Sequence, residues 1–145
     1  MRGRALRAFF LLAGAILSGC GSGISSAGRS GTNSSDFSST FVGPIQITET
    51  ARGQKYSSEA TLTLTQHGDR VIGVWITTAG ATGTIGGVVN GRTLTALQAK
   101  QTSPCESDYR GEAILDTEGV RLSGAVAGTN CEGTMEAISF VLRRQ

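Results

Sequence analysis

The 145 residues hold few side chains able to do chemistry: three Cys, at 20, 105 and 131, and one His, at 67. A general base needs a positioned partner and a nucleophile or water to activate, yet His67 sits in the turn sequence Gln66-His67-Gly68-Asp69 with no nucleophile beside it. No Ser lies in a Gly-x-Ser-x-Gly setting, so His67 reads as a solvated turn residue. One imidazole and Cys residues far apart give no metal-ligand spacing, and no metal is expected. Gly83-Thr84-Ile85-Gly86-Gly87 lacks the Lys and the following helix of a phosphate loop and reads as a bent strand. Glu106 and Asp108 flank Ser107, a paired-carboxylate pattern that could hold a cation but is read as loop decoration. With acid, base and nucleophile unassembled, the expectation is a protein that is no enzyme and uses no cofactor.

Composition narrows the scaffold. Apolar residues make up 39%, charged residues 17%, and Gly reaches 21 against two Pro, which argues against a helical bundle and against charge-driven disorder. The length suits one domain. Net charge is +2, but Arg2, Arg4 and Arg7 fall in a segment expected to be removed, leaving 10 basic against 11 acidic residues. That balance excludes a nucleic-acid-binding surface.

The three Arg of the first seven residues precede an apolar or small run from Ala8 to Leu17. A positive start and a short hydrophobic stretch form a secretory signal, too short for the roughly twenty residues a spanning helix needs. Leu17-Ser18-Gly19-Cys20 ends the run. These four residues resemble the lipobox of bacterial lipoproteins. The resemblance implies that the Cys20 thiol takes diacylglycerol, that cleavage falls just before it, and that residues 1–19 are signal peptide. Each buried methylene contributes about 0.8 kcal/mol, and several acyl chains on one residue meet the need for two membrane signals. Gly21 and Ser22 follow, not the Asp that in such lipoproteins favours inner-membrane retention, so the expected place is the outer membrane, facing the periplasm.

From Cys20 to Ser39, 12 of 20 residues are Gly or Ser, and only Ile24 and Phe37 have apolar bulk. Such a stretch buries too little to offset its ordering entropy, so residues 20–39 read as a flexible tether.

Residues 40–145 read as one all-β domain. Eight period-two stretches recur: Phe41–Thr50, Tyr56–Gln66, Arg70–Thr78, Gly83–Val89, Arg92–Lys100, Tyr109–Asp116, Val120–Ala127 and Thr134–Leu142. Asn90-Gly91 predicts a type I′ hairpin, and His67-Gly68-Asp69 and Thr117-Glu118-Gly119 are connections nearly as short. Short connections make sequence neighbours spatial neighbours, so the expected fold is an eight-stranded antiparallel up-and-down meander closing into a small barrel, with an open two-sheet sandwich as the alternative. Ala60, Leu62 and Leu64 share one strand face, as do Val120, Leu122, Gly124 and Val126. In the third stretch Val71, Gly73 and Trp75 oppose Ile72, Val74 and Ile76, and two apolar faces predict a strand covered on both sides.

With Cys20 spent on lipid, Cys105 and Cys131 remain in an exported chain, where oxidising conditions favour a disulfide; the Cys-x-x-Cys of a redox pair is absent. Trp75 and Tyr109 are the candidate ligand-contacting residues. Lipobox, tether and meander together resemble small envelope lipoproteins with calycin-like barrels, the group of lipocalins and avidins. Ser107-Asp108-Tyr109 is similar to the lipocalin Thr-Asp-Tyr loop, and Arg143 or Arg144 to the closing Arg; Gly43-Pro44-Ile45 stands where lipocalins have Gly-x-Trp. The resemblance implies a barrel that binds a small apolar or amphipathic molecule near the membrane. The alternative is a filled barrel presenting its loops to a protein partner, as a periplasmic inhibitor or assembly accessory. Cys20→Ser is expected to yield a soluble or uncleaved precursor on membrane fractionation and intact-mass measurement; mature protein still in the membrane fraction refutes lipid attachment.

Overall fold

The computed structural model describes residues 35–145. The signal segment, Cys20 and most of the tether lie outside the described residues. The chain forms β1 (Ser39–Glu49), β2 (Lys55–His67), β3 (Arg70–Thr77), β4 (Thr82–Asn90), β5 (Thr93–Ser103), β6 (Ser107–Leu115), β7 (Arg121–Thr129) and β8 (Met135–Arg144). Each strand pairs antiparallel with the next, and β8 returns to β1, giving a closed barrel in sequence order. Closure leaves no edge strand and excludes the sandwich.

Alternation decides which side chains go inside. On β2, Ala60, Leu62 and Leu64 are buried while Thr63 and Thr65 face water, the pattern of a strand with one solvated face. The pairing of Asn90 with Thr93 makes Gly91 and Arg92 the central turn residues. Gly91 has φ 60°, and Ala96 is the one non-Gly residue with positive φ among those described. A type I′ turn needs positive φ at both central positions, so this hairpin follows instead the type II′ rule of Gly first. Register shifts on both sides of Ala96, in the β4–β5 and β5–β6 pairs, mark a bulge that bends the wall.

The end holding the β2–β3, β4–β5 and β6–β7 turns is packed solid. Phe41, Val71, Leu94, Leu97, Leu115 and Leu122 are fully buried there. Phe37 joins them at 0% exposure, from the segment before β1. This corrects the tether boundary: a lone Phe has no core of its own to enter, but the barrel floor supplies one, and burying it contributes roughly 1.5 to 3 kcal/mol. The Phe37 amide donates to Gln66 Oε1 at 2.9 Å. Arg144 then fastens the segment. Its guanidinium lies 5.2 Å from the Phe41 ring centroid and donates to the Asp36 carbonyl at 2.6 Å and the Ser38 carbonyl at 3.4 Å.

The outer face of β3 differs from the sequence expectation. Ile72, Val74 and Ile76 are 58%, 57% and 51% exposed. A closed single-layered barrel has one interior, so the second apolar face of a strand meets solvent whatever its composition. Val120 is exposed too, because it precedes β7 instead of opening it.

Phe37→Ala is expected to lower unfolding free energy by about 3 to 5 kcal/mol in urea titration. A tether residue would show no change.

Candidate functional site at the open end of the barrel

The other end carries the β1–β2, β3–β4, β5–β6 and β7–β8 loops, and there the interior is under-filled. A cavity of about 80 Å³ sits among inward-facing residues of all eight strands. Its walls run from Ile45 on β1 to Phe140 on β8; Ala60 and Ala99 leave the space, and Trp75 and Tyr109 bound it. Large side chains at the floor and small ones above are the cause: Leu94 and Leu97 give way to Ala99 along β5. A void needs only about 10 to 15 Å³ to hold a water, and one of about 150 Å³ holds benzene, so this one has room for a few carbon atoms. The lining is apolar: Thr77 and Tyr109 contribute carbon surface, while the Thr77 hydroxyl turns to the Ala81 backbone and the Tyr109 hydroxyl to Glu136.

Trp75 is held from two directions. It is paired with Gly83 across β3–β4, and the indole lies so close that a Cβ at Gly83 would come within 2.7 Å of ring carbons. Its Nε1 donates to the Thr84 carbonyl at 3.2 Å. A Cβ there would meet the Lys100 carbonyl oxygen even sooner, so Gly83 is a steric requirement of the close approach of both the β5 backbone and the indole, and the residue belongs to a strand and not to a phosphate loop.

Tyr109 is 3% exposed, and its hydroxyl donates to Glu136 Oε2 at 3.2 Å. Asn130 Nδ2 donates to the other oxygen, Oε1, at 2.7 Å. Burial, and after it the negative charge of Glu136, push the phenol from its ordinary 10.0 up to about 12. Tyr109 thus stays a neutral hydrogen-bond donor at the cavity wall.

Cys105 and Cys131 form a disulfide with their Cα atoms 5.7 Å apart, joining the β5–β6 loop to the β7–β8 loop at the rim. In the chain-entropy model a loop of this length contributes about 3 to 4 kcal/mol. The bond has a local effect as well. Asn130 precedes Cys131, and its Oδ1 accepts from the Glu132 and Thr134 amides at 3.0 and 2.9 Å, so the tied loop aims Nδ2 at Glu136. Gln101 Nε2 donates to the Cys105 carbonyl at 3.3 Å and bridges β5 to the same corner.

The structure thus brings Trp75 and Tyr109 to one cavity and sets the disulfide above it. His67 lies exposed at the opposite end, away from the cavity. Glu106 and Asp108 point out to solvent on either side of buried Ser107, and Asp108 accepts from Gln98 Nε2 at 3.3 Å. Cys20 is outside the described residues. Among the described residues no group of three or more His, Cys, Asp or Glu could hold a metal ion.

Two rim residues went unnoticed in the sequence: Glu136, and Glu49, which is 7% exposed. The signal was present. Ile45-x-Ile47-x-Glu49 and Glu136-x-Ile138-x-Phe140 each continue an inward-facing alternation into a carboxylate.

No family model matches the chain, and no curated protein matches it. Among solved structures, the barrel is similar to EF1p2_mFAP2b bound to DFHBI. The TM-score is 0.55 at 13% identity, over 74% of this chain and 93% of that one. At that identity the likeness is one of fold: both are small β-barrels.

A pH titration followed by phenolate absorbance is expected to show one group ionising near pH 12. The folded phenol keeps its proton to higher pH than the unfolded one. Its contribution to stability is therefore fully present below pH 10 and is lost as pH rises through about 12. Tyr109→Phe should remove both the late absorbance step and that part of the stability loss.

Proposed function

We propose that this chain is a lipid-anchored lipoprotein of the bacterial cell envelope, in the outer membrane facing the periplasm, that takes up a small apolar or amphipathic molecule in its barrel. The observation that carries the binding half is the apolar cavity walled by all eight strands at one end of a barrel whose other end is packed shut. Concave, mostly apolar sites with a few convergent polar groups are the usual form of a small-molecule site, and barrel mouths are a usual place for one. The similar solved structure holds a small molecule, DFHBI, which is compatible with the same use here. In this reading the protein acts by binding and not by catalysis, and its contact with the ligand is apolar.

The anchoring half rests on the signal, lipobox and tether of residues 1–39. The first described residue, Ser35, stands at the packed end, its amide donating to the Gly91 carbonyl at 3.4 Å. The exposed Ile72, Val74 and Ile76 favour a second reading, in which the outer wall of β3 meets a protein partner.

Because Trp75 lines the cavity and is the single Trp of the chain, its fluorescence reports occupancy. Titration with short-chain alcohols is expected to give a saturable change of 1:1 stoichiometry. Ala99→Leu, which fills the space, should abolish it while the melting temperature holds. A linear, unsaturable response shared by both proteins would overturn the binding reading.

A further inference from the structure

We propose that the outer wall of β3 is a self-association surface, on which a second copy of this chain packs face to face across a two-fold axis with the two β3 strands running in opposite directions. The inference names the protein partner that the exposed β3 row favours. It is independent of the cavity, since Ile72, Val74 and Ile76 point out of the barrel and the cavity residues point in.

The three aliphatic side chains stand at alternate outward positions of one strand, each more than half exposed. Among the described residues no other strand exposes two large apolar side chains in succession. Their outward neighbours across β2 and β4 are Thr or Gly, so the row lies in a strip without charge. A continuous apolar strip of this kind marks an interaction surface. The wall is hollowed beside it, where Gly86 carries no side chain, which lets a second barrel come close. Three strands about 4.8 Å apart, followed from Arg70 to Thr78, make a face about 10 to 15 Å wide and about 27 Å long. A pair of copies joined there falls at the small, weak end of specific interfaces.

The charges at the ends of the strip decide the partner. Arg70 stands four residues before Val74 and Thr78 four residues after it. Glu59 lies beside Thr78, its amide donating to Thr78 Oγ1 at 3.2 Å and its carbonyl accepting from the Thr78 amide at 2.9 Å. Arg70 and Glu59 are both exposed, and among the described residues neither forms an ion pair. Asp69, in the β2–β3 turn, and Lys100, on β5, lie off the strip. A strip with its cation at one end and its anion at the other, equally far from the centre, is complementary to a copy of itself turned end for end. Val74 then meets the partner's Val74 near the axis, and Ile72 meets the partner's Ile76. Each Arg70 faces the partner's Glu59 across one strand's width, within reach of its side chain. With the strands parallel, like charges would face each other at both ends, so charge selects the antiparallel pair. Within one copy Arg70 and Glu59 sit at opposite ends of β3 and cannot meet.

Sedimentation equilibrium tests this on the chain from residue 20 onward, carrying Cys20→Ser so that no lipid drives assembly. The expected result is a reversible monomer–dimer equilibrium with a Kd between about 10 μM and about 1 mM and nothing larger, because a two-fold contact closes on itself. Val74→Asp, at a position 57% exposed in the single barrel, should weaken association about tenfold or more with the melting temperature unchanged. Arg70→Glu or Glu59→Arg alone should weaken it roughly fivefold, and the two together should restore it. That rescue arises only between copies. A monomer at every concentration overturns the pairing; if that monomer floats with phosphatidylglycerol vesicles and Val74→Asp releases it, the face belongs to a membrane instead. An assembly that Val74→Asp leaves intact, one that grows past the dimer, or single reversals that their combination does not restore also overturn it. Alcohol binding followed by Trp75 is unaffected by any of these outcomes, so the cavity reading stands or falls separately.

Discussion

When β8 pairs back onto β1, the sheet loses both free edges, and every second residue is committed to one enclosed interior whose width the eight strands set. All else in the molecule is a response to that commitment. The interior must be filled, and it is filled unevenly. Leu, Phe and Val crowd the end where the chain enters, while Ala60, Ala99 and Gly83 occupy corresponding inward places toward the other. The under-filled half is the cavity.

The same commitment explains the polar groups. An inward-facing position beyond the last apolar layer stays on the inner side of its strand, so Glu49 and Glu136, paired across β1 and β8, are withdrawn from solvent at the rim where outward positions would have been exposed. Once there they need donors. The Tyr109 hydroxyl and the Asn130 amide reach Glu136 because the disulfide and the Asn130 turn hold the β7–β8 loop over the rim. The disulfide therefore has two physical effects, a restraint on the unfolded chain and the placement of one hydrogen-bond donor. The floor is closed by a different device, a Phe from outside the strands held by an Arg from the last one.

The two ends of the barrel are thus unlike in composition, packing and charge, and that polarity is what makes a binding role physically reasonable. A barrel packed throughout would be more stable by the cavity it lacks, at roughly 1 kcal/mol per missing methyl-sized volume. Keeping small residues on facing strands at one end alone is a structural cost of that kind. The outer face of β3, aliphatic and unshielded, is the other departure from a simple soluble barrel.

The eight strands and their order were legible because alternation is local: a Thr-Leu-Thr-Leu run and short turns fix strand identity and antiparallel neighbours without reference to the rest of the chain. The fate of Trp75 and Tyr109 was half legible, since each lay on the inner side of its strand, but their convergence on one space was not. Phe37 was misplaced for the same reason that the outer face of β3 was. Composition tells how much apolar surface a segment has, and only the closed barrel decides whether there is an inside to receive it. Glu49 and Glu136 lie 87 positions apart, and no local pattern links them. Local sequence thus determined the strands, their faces and the pairing of the neighbours. Closure, a contact between the first strand and the last, alone decided what lies inside, which carboxylates meet, and where space remains, because those depend on distances that exist only after the ring is shut.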